Sequence, residues 1–417
     1  MTYPDRPSYT TPDNWILRSR RGSRASCHII KENGYPIGIQ APDRMPRPNK
    51  VGNIRIIDVN PFFYPYKGGI ENRMHQTSTL LAAKGHEVIV LTGRLPDTPE
   101  EEVTPEGYRI IRLKSKLLNI YNPPYIRSYG ILDTLNSLDG DIVNYNYRWA
   151  PSYNKALDAY KGVKIHTVHN TWHEGTGIAK AASAVNDELF WKKMLRFDRI
   201  VTVNNGIRED LVARGAPADK VFTIPTCGHV KPYVMRDEGD FILSLGRMVK
   251  VKGLKYLIEA MKDVECKLLI CGKGPEEKHI RNQIRRLHLE DKVEILGYVS
   301  EERKEELMGT CKMLVMPSLY EAFGMVAVEV MAQRRPVIAT NVNGLPETVG
   351  EGGILVNPAD PKALADAINS LLSNDALRMD IGMKARLQAE YYDWSNHIDG
   401  YEQFLIDTVE QGHERKG

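Results

Sequence analysis

Two carboxylates eight positions apart, Glu321 and Glu329, stand in the stretch Ser318-Leu319-Tyr320-Glu321-Ala322-Phe323-Gly324-Met325-Val326-Ala327-Val328-Glu329. An apolar run at 313–316 precedes it and reads as a buried parallel strand; the stretch then opens a helix that Pro336 cannot continue. Glu321 falls at the mouth of that helix. Glu329 falls inside it, among Val326, Ala327, Val328, Val330, Met331 and Ala332, an apolar surround that predicts burial and so demands a partner for the carboxylate. Eight residues of helix span ~12 Å, about the distance from sugar to ribose in a nucleotide sugar. Between the two carboxylates, Phe323, Gly324 and Met325 would offer helix-start N–H groups, where phosphate binds. One element would then hold sugar, diphosphate and ribose together.

Cations come from a second place. Gly246-Arg247 ends the apolar segment 241–245, and Lys252-Gly253 starts the helical pattern after it. Two cations at the carboxyl end of a strand suit a diphosphate leaving group, because negative charge grows on it as the sugar departs. In the first half, Gly68-Gly69 lies between a strand at 54–59 and a helix at about 71–84, the order in which a backbone approaches a ligand closely. His169 stands at the carboxyl end of a strand at 163–168, where ligands of open α/β sheets collect. His173, four residues on, reads as a structural histidine.

The elements that must position these residues alternate. Strands read at 54–59, 87–91, 108–113, 142–145, 163–168 and 199–203, then at 241–245, 267–271, 293–296, 312–316, 336–340 and 354–356, with helical patterns between them. This predicts two parallel α/β sheets. The length of 417 residues is enough for two domains of ordinary size. The expected division is a leader at 1–50, a first domain at 51–232 completed by a returning helix at 393–417, and a second domain at 233–392. The segment 187–197 reads as an ordinary helix with one packed face, with a basic membrane-surface helix as the alternative.

With those elements in place, Glu-x7-Glu followed by Phe-Gly resembles the signature of retaining glycosyltransferases of the GT-B architecture. Within them it is similar to the large family 4 type that includes sucrose synthases and phosphatidylinositol mannosyltransferases. Gly246-Arg247 with Lys252-Gly253 resembles the family's phosphate clamp, Gly272-Lys273-Gly274-Pro275 its turn near the nucleobase, and Gly68-Gly69 its loop facing donor phosphate and acceptor. The run Phe62-Phe63-Tyr64-Pro65 through Gly68-Gly69-Ile70-Glu71 is especially similar to the catalytic polypeptide that adds N-acetylglucosamine to phosphatidylinositol.

The resemblance implies two Rossmann-like domains facing a cleft, and transfer of a sugar with its anomeric configuration retained. It implies roles for Glu321 on sugar hydroxyls, His169 beside the sugar, Arg247 and Lys252 on the diphosphate, and Glu329 on the ribose. The expected partners are a nucleotide-sugar donor and a glycan or lipid acceptor, with no nucleic acid, no cofactor and no metal. At 224–230 the chain has Ile-Pro-Thr-Cys-Gly-His-Val where the family has Ile-Pro-Asn-Gly-Val-Asp, so the closing aspartate has no counterpart. Two competing readings are a sugar-nucleotide epimerase of the same fold and a non-catalytic nucleotide-sugar-binding partner. The paired carboxylates with the Arg and Lys clamp speak against the first, and intact Glu321, Arg247, Lys252 and Glu329 against the second.

Composition narrows the setting. Apolar residues are 42% and charged residues 26%, as in a soluble globular protein, and no apolar run approaches the ~20 residues of a membrane span. Five cysteines, Cys27, Cys227, Cys266, Cys271 and Cys311, without a Cys-x2-Cys pair, fit a reducing compartment better than a zinc site or a disulfide framework. Residues 1–50 hold nine Lys/Arg against four Asp/Glu, a net of +5 that leaves −2 for the rest of a chain of net +3. A basic leader of this kind is attracted to anionic lipid. The expected location is cytoplasmic, with peripheral attachment to a membrane face.

Overall fold

The computed structural model describes residues 52–118, 125–171 and 177–414. The leader at 1–50 and His173 lie outside them. The first half runs β1 (Arg55–Val59), α1 (Gly69–Ala83), β2 (Glu87–Gly93), β3 (Glu101–Val103), β4 (Arg109–Leu113), β5 (Ser115–Leu118) and β6 (Tyr125–Ser128). It continues with α2 (Ile131–Leu138), β7 (Ile142–Tyr145), α3 (Pro151–Ala159), β8 (Lys164–Val168), α4 (Gly177–Met194), β9 (Arg199–Thr202), α5 (Asn205–Ala213) and β10 (Val221–Thr223). The second half runs β11 (Phe241–Leu245), α6 (Leu254–Ala260), β12 (Lys267–Cys271), α7 (Glu277–Arg286), β13 (Val293–Gly297), α8 (Glu301–Thr310) and β14 (Leu314–Met316). It ends with α9 (Met325–Met331), β15 (Val337–Thr340), α10 (Leu345–Val349), β16 (Gly353–Val356), α11 (Pro361–Leu372), α12 (Asp375–Tyr391) and α13 (Ile398–Glu414).

Two sheets result. The first has the order β10-β9-β8-β7-β1-β2-β4-β3 and is parallel except at its β3 edge; the second has the order β13-β12-β11-β14-β15-β16 and is parallel throughout. β5 and β6 form a separate antiparallel hairpin. The alternating reading of the sequence finds the parallel strands except β10 and misses β3 and the hairpin as well; all of these are short and partly exposed.

Both faces of each sheet are covered, as parallel sheets require, so successive strand residues enter different cores. In β1, Ile57 and Val59 join Val143, Tyr145 and Phe190 on one face, while Ile56 joins Val90 and Ile165 on the other. That second face is closed by the chain's last helix: Ile398, Tyr401, Leu405, Ile406 and Val409 pack there with Trp394. The return crosses at 392–394, where the Gly228 N–H donates to the Tyr392 carbonyl and the Trp394 N–H to the Gly228 carbonyl, both at 3.0 Å. At this crossing Asp393 accepts from the Val230 N–H at 2.6 Å. The altered segment 224–230 therefore has a carboxylate of its own, delivered from the other end of the chain.

Candidate active site between the two sheets

The site-bearing loops leave the carboxyl ends of their strands, where parallel sheets gather ligands. After β11 come Gly246 and Arg247, then a short turn ending in Lys252. Arg247 is exposed, and its charge reaches the Tyr66 phenol of the opposite half. Lys252 pairs with the Glu321 carboxylate, both being partly buried. Gly246, Arg247, Lys252, Pro317 and Ser318 line one cavity. Below it the turn after β12 is forced to be glycine: a Cβ on Gly274 would lie 2.2 Å from the Met248 carbonyl oxygen.

The Glu-x7-Glu stretch departs from expectation in two ways. Only its second part is helical, because α9 starts at Met325 after Gly324, whose φ of +96° suits glycine, and it has seven residues. The eight-residue span therefore does not run along a helix, and Glu321, Phe323 and Gly324 sit on the loop before it. Glu329 is not buried either. Its side chain is 38% exposed and faces Lys304 of α8, with Nζ at 3.4 Å. Val326 is likewise only half-buried, although Ala327, Val328, Val330 and Met331 beside it are buried. Phe323 is the buried anchor, its ring edge-on to Tyr392 at 5.0 Å.

On the first half, Gly68 caps α1, and a Cβ there would lie 2.4 Å from Glu71 Oε2, whereas Gly69 faces open space. Glu71 is buried, accepts from Asn60 Nδ2 at 3.0 Å, and is pushed up to about 7 by burial. His169 follows β8 and joins Ile70, Asn146, Tyr147, Arg148 and Trp149 around a second cavity. Its Nε2 stands 3.0 Å from Asn146 Oδ1, and burial, with the Arg73 charge next, holds it well below the usual histidine range, so the ring is neutral. Arg148 and Asp187 form a buried ion pair at 2.8 Å, and Asp187 also accepts from Trp149 Nε1 at 3.1 Å. Asp58 accepts from Asn146 Nδ2 at 2.5 Å and from Asn144 Nδ2 at 2.8 Å. Burial raises its pKa to about 6 against the pull of Asn146, Arg73 and Asn144.

The two halves meet at this place. Tyr320 Oη accepts from the Thr171 N–H at 3.0 Å and from Thr171 Oγ1 at 3.1 Å. Asn204 Nδ2 donates to the Ala322 carbonyl at 2.6 Å, while its Oδ1 caps α5 at the Ile207 N–H. Glu347 accepts from Asn205 N at 2.8 Å and from its Nδ2 at 3.0 Å. Glu321 thus lies between two residues that the first half holds, and one of those contacts is two residues from His169. The structure brings Glu321, Lys252 and Arg247 together across the cleft from His169 and Gly69, and leaves Glu329 at the far end of α9. Asp58, Asn146 and the Tyr320 and Asn204 contacts are not picked out from the sequence, and Glu71 enters there only as the end of the run that starts at Phe62. Asp58 alone carries a signal there, an acid in the apolar strand Arg55-Ile56-Ile57-Asp58-Val59.

Residues 67–227 match the description Glycosyltransferase Family 4, and residues 230–388 match Glycosyl transferases group 1. The chain belongs to this glycosyltransferase family. Its fold is GT-B, and the chain is an enzyme of the sugar-transferring class. Among the relatives of this glycosyltransferase, the phosphatidyl-myo-inositol mannosyltransferase of Mycobacterium leprae is 27% identical, over 82% of this chain and 94% of that one. The gpi3 subunit of the phosphatidylinositol N-acetylglucosaminyltransferase of Schizosaccharomyces pombe is 26% identical, over 76% of this chain and 72% of that one. Anabaena HepE, solved in complex with UDP and glucose, superposes with a TM-score of 0.68 at 17% identity, over 85% of this glycosyltransferase and all of HepE. Among the described residues no group of three or more His, Cys, Asp or Glu is placed to hold a metal ion, and no helix is long and apolar enough to cross a membrane.

Proposed function

We propose that this glycosyltransferase moves a sugar, with retention, from a nucleoside diphosphate to a hydroxyl of a lipid-linked, inositol-containing acceptor. The observation that carries the reading is the pair of clasps around Glu321, Tyr320 to Thr171 and Asn204 to Ala322, which set the Glu321 loop against the strand end that delivers His169. In this scheme Glu321 holds sugar hydroxyls and His169 lines the sugar pocket. Arg247 and Lys252 take the diphosphate, with the N–H groups of Phe323, Gly324 and Met325 beside it. Glu329 takes the ribose, and Gly274 lets the nucleobase lie close to the backbone. Gly68 and Gly69 open the acceptor side. The acceptor oxygen bonds to the anomeric carbon as the bond from that carbon to the diphosphate oxygen breaks, and the acceptor's proton leaves with the diphosphate. Arg247 and Lys252 stabilise the charge that gathers there, so no metal is required.

The names of the relatives support an inositol lipid as acceptor, and UDP in a protein of the same fold supports a uridine donor. Helix α4 adds a membrane argument: Val185 and Leu189, one turn apart, are 62% and 71% exposed, with Lys192 exposed beside them. The protein in this reading works at the cytoplasmic face of a membrane. The test is nucleotide release from a panel of UDP- and GDP-sugars with and without phosphatidylinositol in vesicles, with the product anomer read by NMR. Acceptor-dependent release with the donor's anomer is expected. An inverted anomer overturns retention, and release that ignores every acceptor overturns transfer to the lipid.

A further inference from the structure

Asp58 lies at the carboxyl end of β1, directly opposite Asn144 of β7 in the ladder. Around it runs a buried set of polar groups. Its Oδ1 accepts from both Asn144 Nδ2 and Asn146 Nδ2. Asn144 is then held at its other end, where Oδ1 accepts from Thr167 Oγ1 at 2.8 Å. Asn146 is likewise held at both ends, since its Oδ1 faces His169 Nε2 at 3.0 Å. Asp58, Asn144, Asn146, Thr167 and His169 are all buried.

The direction of each bond follows from what the atoms carry. A carboxylate oxygen has no proton to give, so it selects the NH2 end of each asparagine. With its NH2 turned to Asp58, Asn146 presents a carbonyl oxygen to His169, and an oxygen without a proton selects a protonated nitrogen. In a neutral imidazole only one nitrogen carries the proton. We infer that Asp58 is a positioning residue for the transfer reaction: through Asn146 it fixes the proton of His169 on Nε2 and leaves Nδ1 as the lone-pair acceptor for a sugar hydroxyl.

Arg73 closes the other side. It is buried, its charge lies near Asp58, and its guanidinium rests against the rings of Trp394 and Tyr401, 5.4 and 5.7 Å from their centroids. The returning end of the chain thereby backs the group that orients His169. This inference rests on the proposed role of His169 beside the sugar, but its central readout does not depend on turnover.

The experiment is long-range 1H–15N correlation on the full chain labelled at histidine, with the His169 ring assigned by its loss in His169→Gln. Wild type should show His169 as a single Nε2–H tautomer. Asp58→Leu and Asn146→Leu, which remove the two links in turn, should give mixed tautomers, with kcat/KM for transfer lowered about tenfold or more. An Nδ1–H tautomer in the wild type overturns the inference even if neither variant folds. So does a folded Asp58→Leu or Asn146→Leu that keeps the Nε2–H form. If the tautomer behaves as described while no acceptor-dependent transfer is found, the functional reading fails and the wiring of His169 stands.

Discussion

The two halves of the cleft hold their chemistry in opposite ways. On the second half the candidate groups keep some contact with solvent: Arg247 is exposed, Lys252 and Glu321 pair on partly buried loops, and Glu329 of α9 is shared with Lys304 of α8. On the first half they are sunk into the sheet, where Asp58, Glu71, Asn146, His169 and the Arg148–Asp187 pair are all buried. In the function proposed above, the contrast suits the tasks. A donor that brings two phosphates needs cations that remain solvated until it arrives, because burying them beforehand would cost desolvation energy. A sugar and an alcohol carry no charge to attract, so their half of the site needs fixed hydrogen-bond directions, and burial supplies them.

The contrast can be broken most forcefully at Asp187. Asp187→Ala takes this carboxylate from the buried Arg148 guanidinium, which keeps its bonds to the Asn170 and Thr171 carbonyls, and breaking a buried pair costs about 3–5 kcal/mol. Urea unfolding should show it, whereas Lys304→Ala, at a partly exposed pair of the second half, should cost no more than about 1 kcal/mol. Next in size comes the donor clamp. Arg247→Ala and Lys252→Ala should each lower kcat by about 10²–10³, the range seen when one group stabilising transition-state charge is removed, with stability little changed.

The pH dependence sharpens the same difference. Glu71 is raised from 4.5 to about 7 and Asp58 from 3.8 to about 6, both by burial. The folded state therefore holds protons that the unfolded state has lost. The stability these groups contribute is full below their unfolded values and falls as pH rises through about 6 and 7. Glu71→Gln removes one of these terms, so its stability relative to wild type should grow between about pH 5 and about pH 8. A difference that stays flat across that range would place Glu71 in a more solvated setting. The smallest expected effect is at the clasp. Tyr320→Phe removes two hydrogen bonds to Thr171, each with a net value of about 0.5–1.5 kcal/mol, and should raise the donor KM severalfold with little change in fold.

What could be read from the sequence follows the same division. The parallel strands other than β10 were legible because buried strands are continuous apolar runs, and the closeness of Arg247 and Lys252 because both stand on loops next to each other in the chain. Glu329 was misplaced for a physical reason: an apolar surround in sequence predicts burial only where every face of the helix is covered, and the Glu329 side of α9 meets Lys304, itself partly exposed. Of the first half's wiring only Asp58 carries a signal, as an acid in an apolar strand. Asp58, Asn146 and His169 are separated by 88 and 23 residues and become neighbours only through the β1–β7–β8 ladder. The return of the last helix was expected from the sequence, but not that it brings the Asp393 carboxylate onto the Val230 N–H of the 224–230 segment.

The central claim is that groups from both halves act on one sugar. A double-mutant cycle on kcat/KM, with His169→Ala, Glu321→Gln and the pair together, tests it most directly, since residues acting as a unit are strongly non-additive. Each single change should lower the rate strongly, and the double variant should be hardly slower than the worse single one. Losses that simply multiply, or a His169→Ala enzyme that works at the wild-type rate, would mean that the two halves do not share a reacting centre.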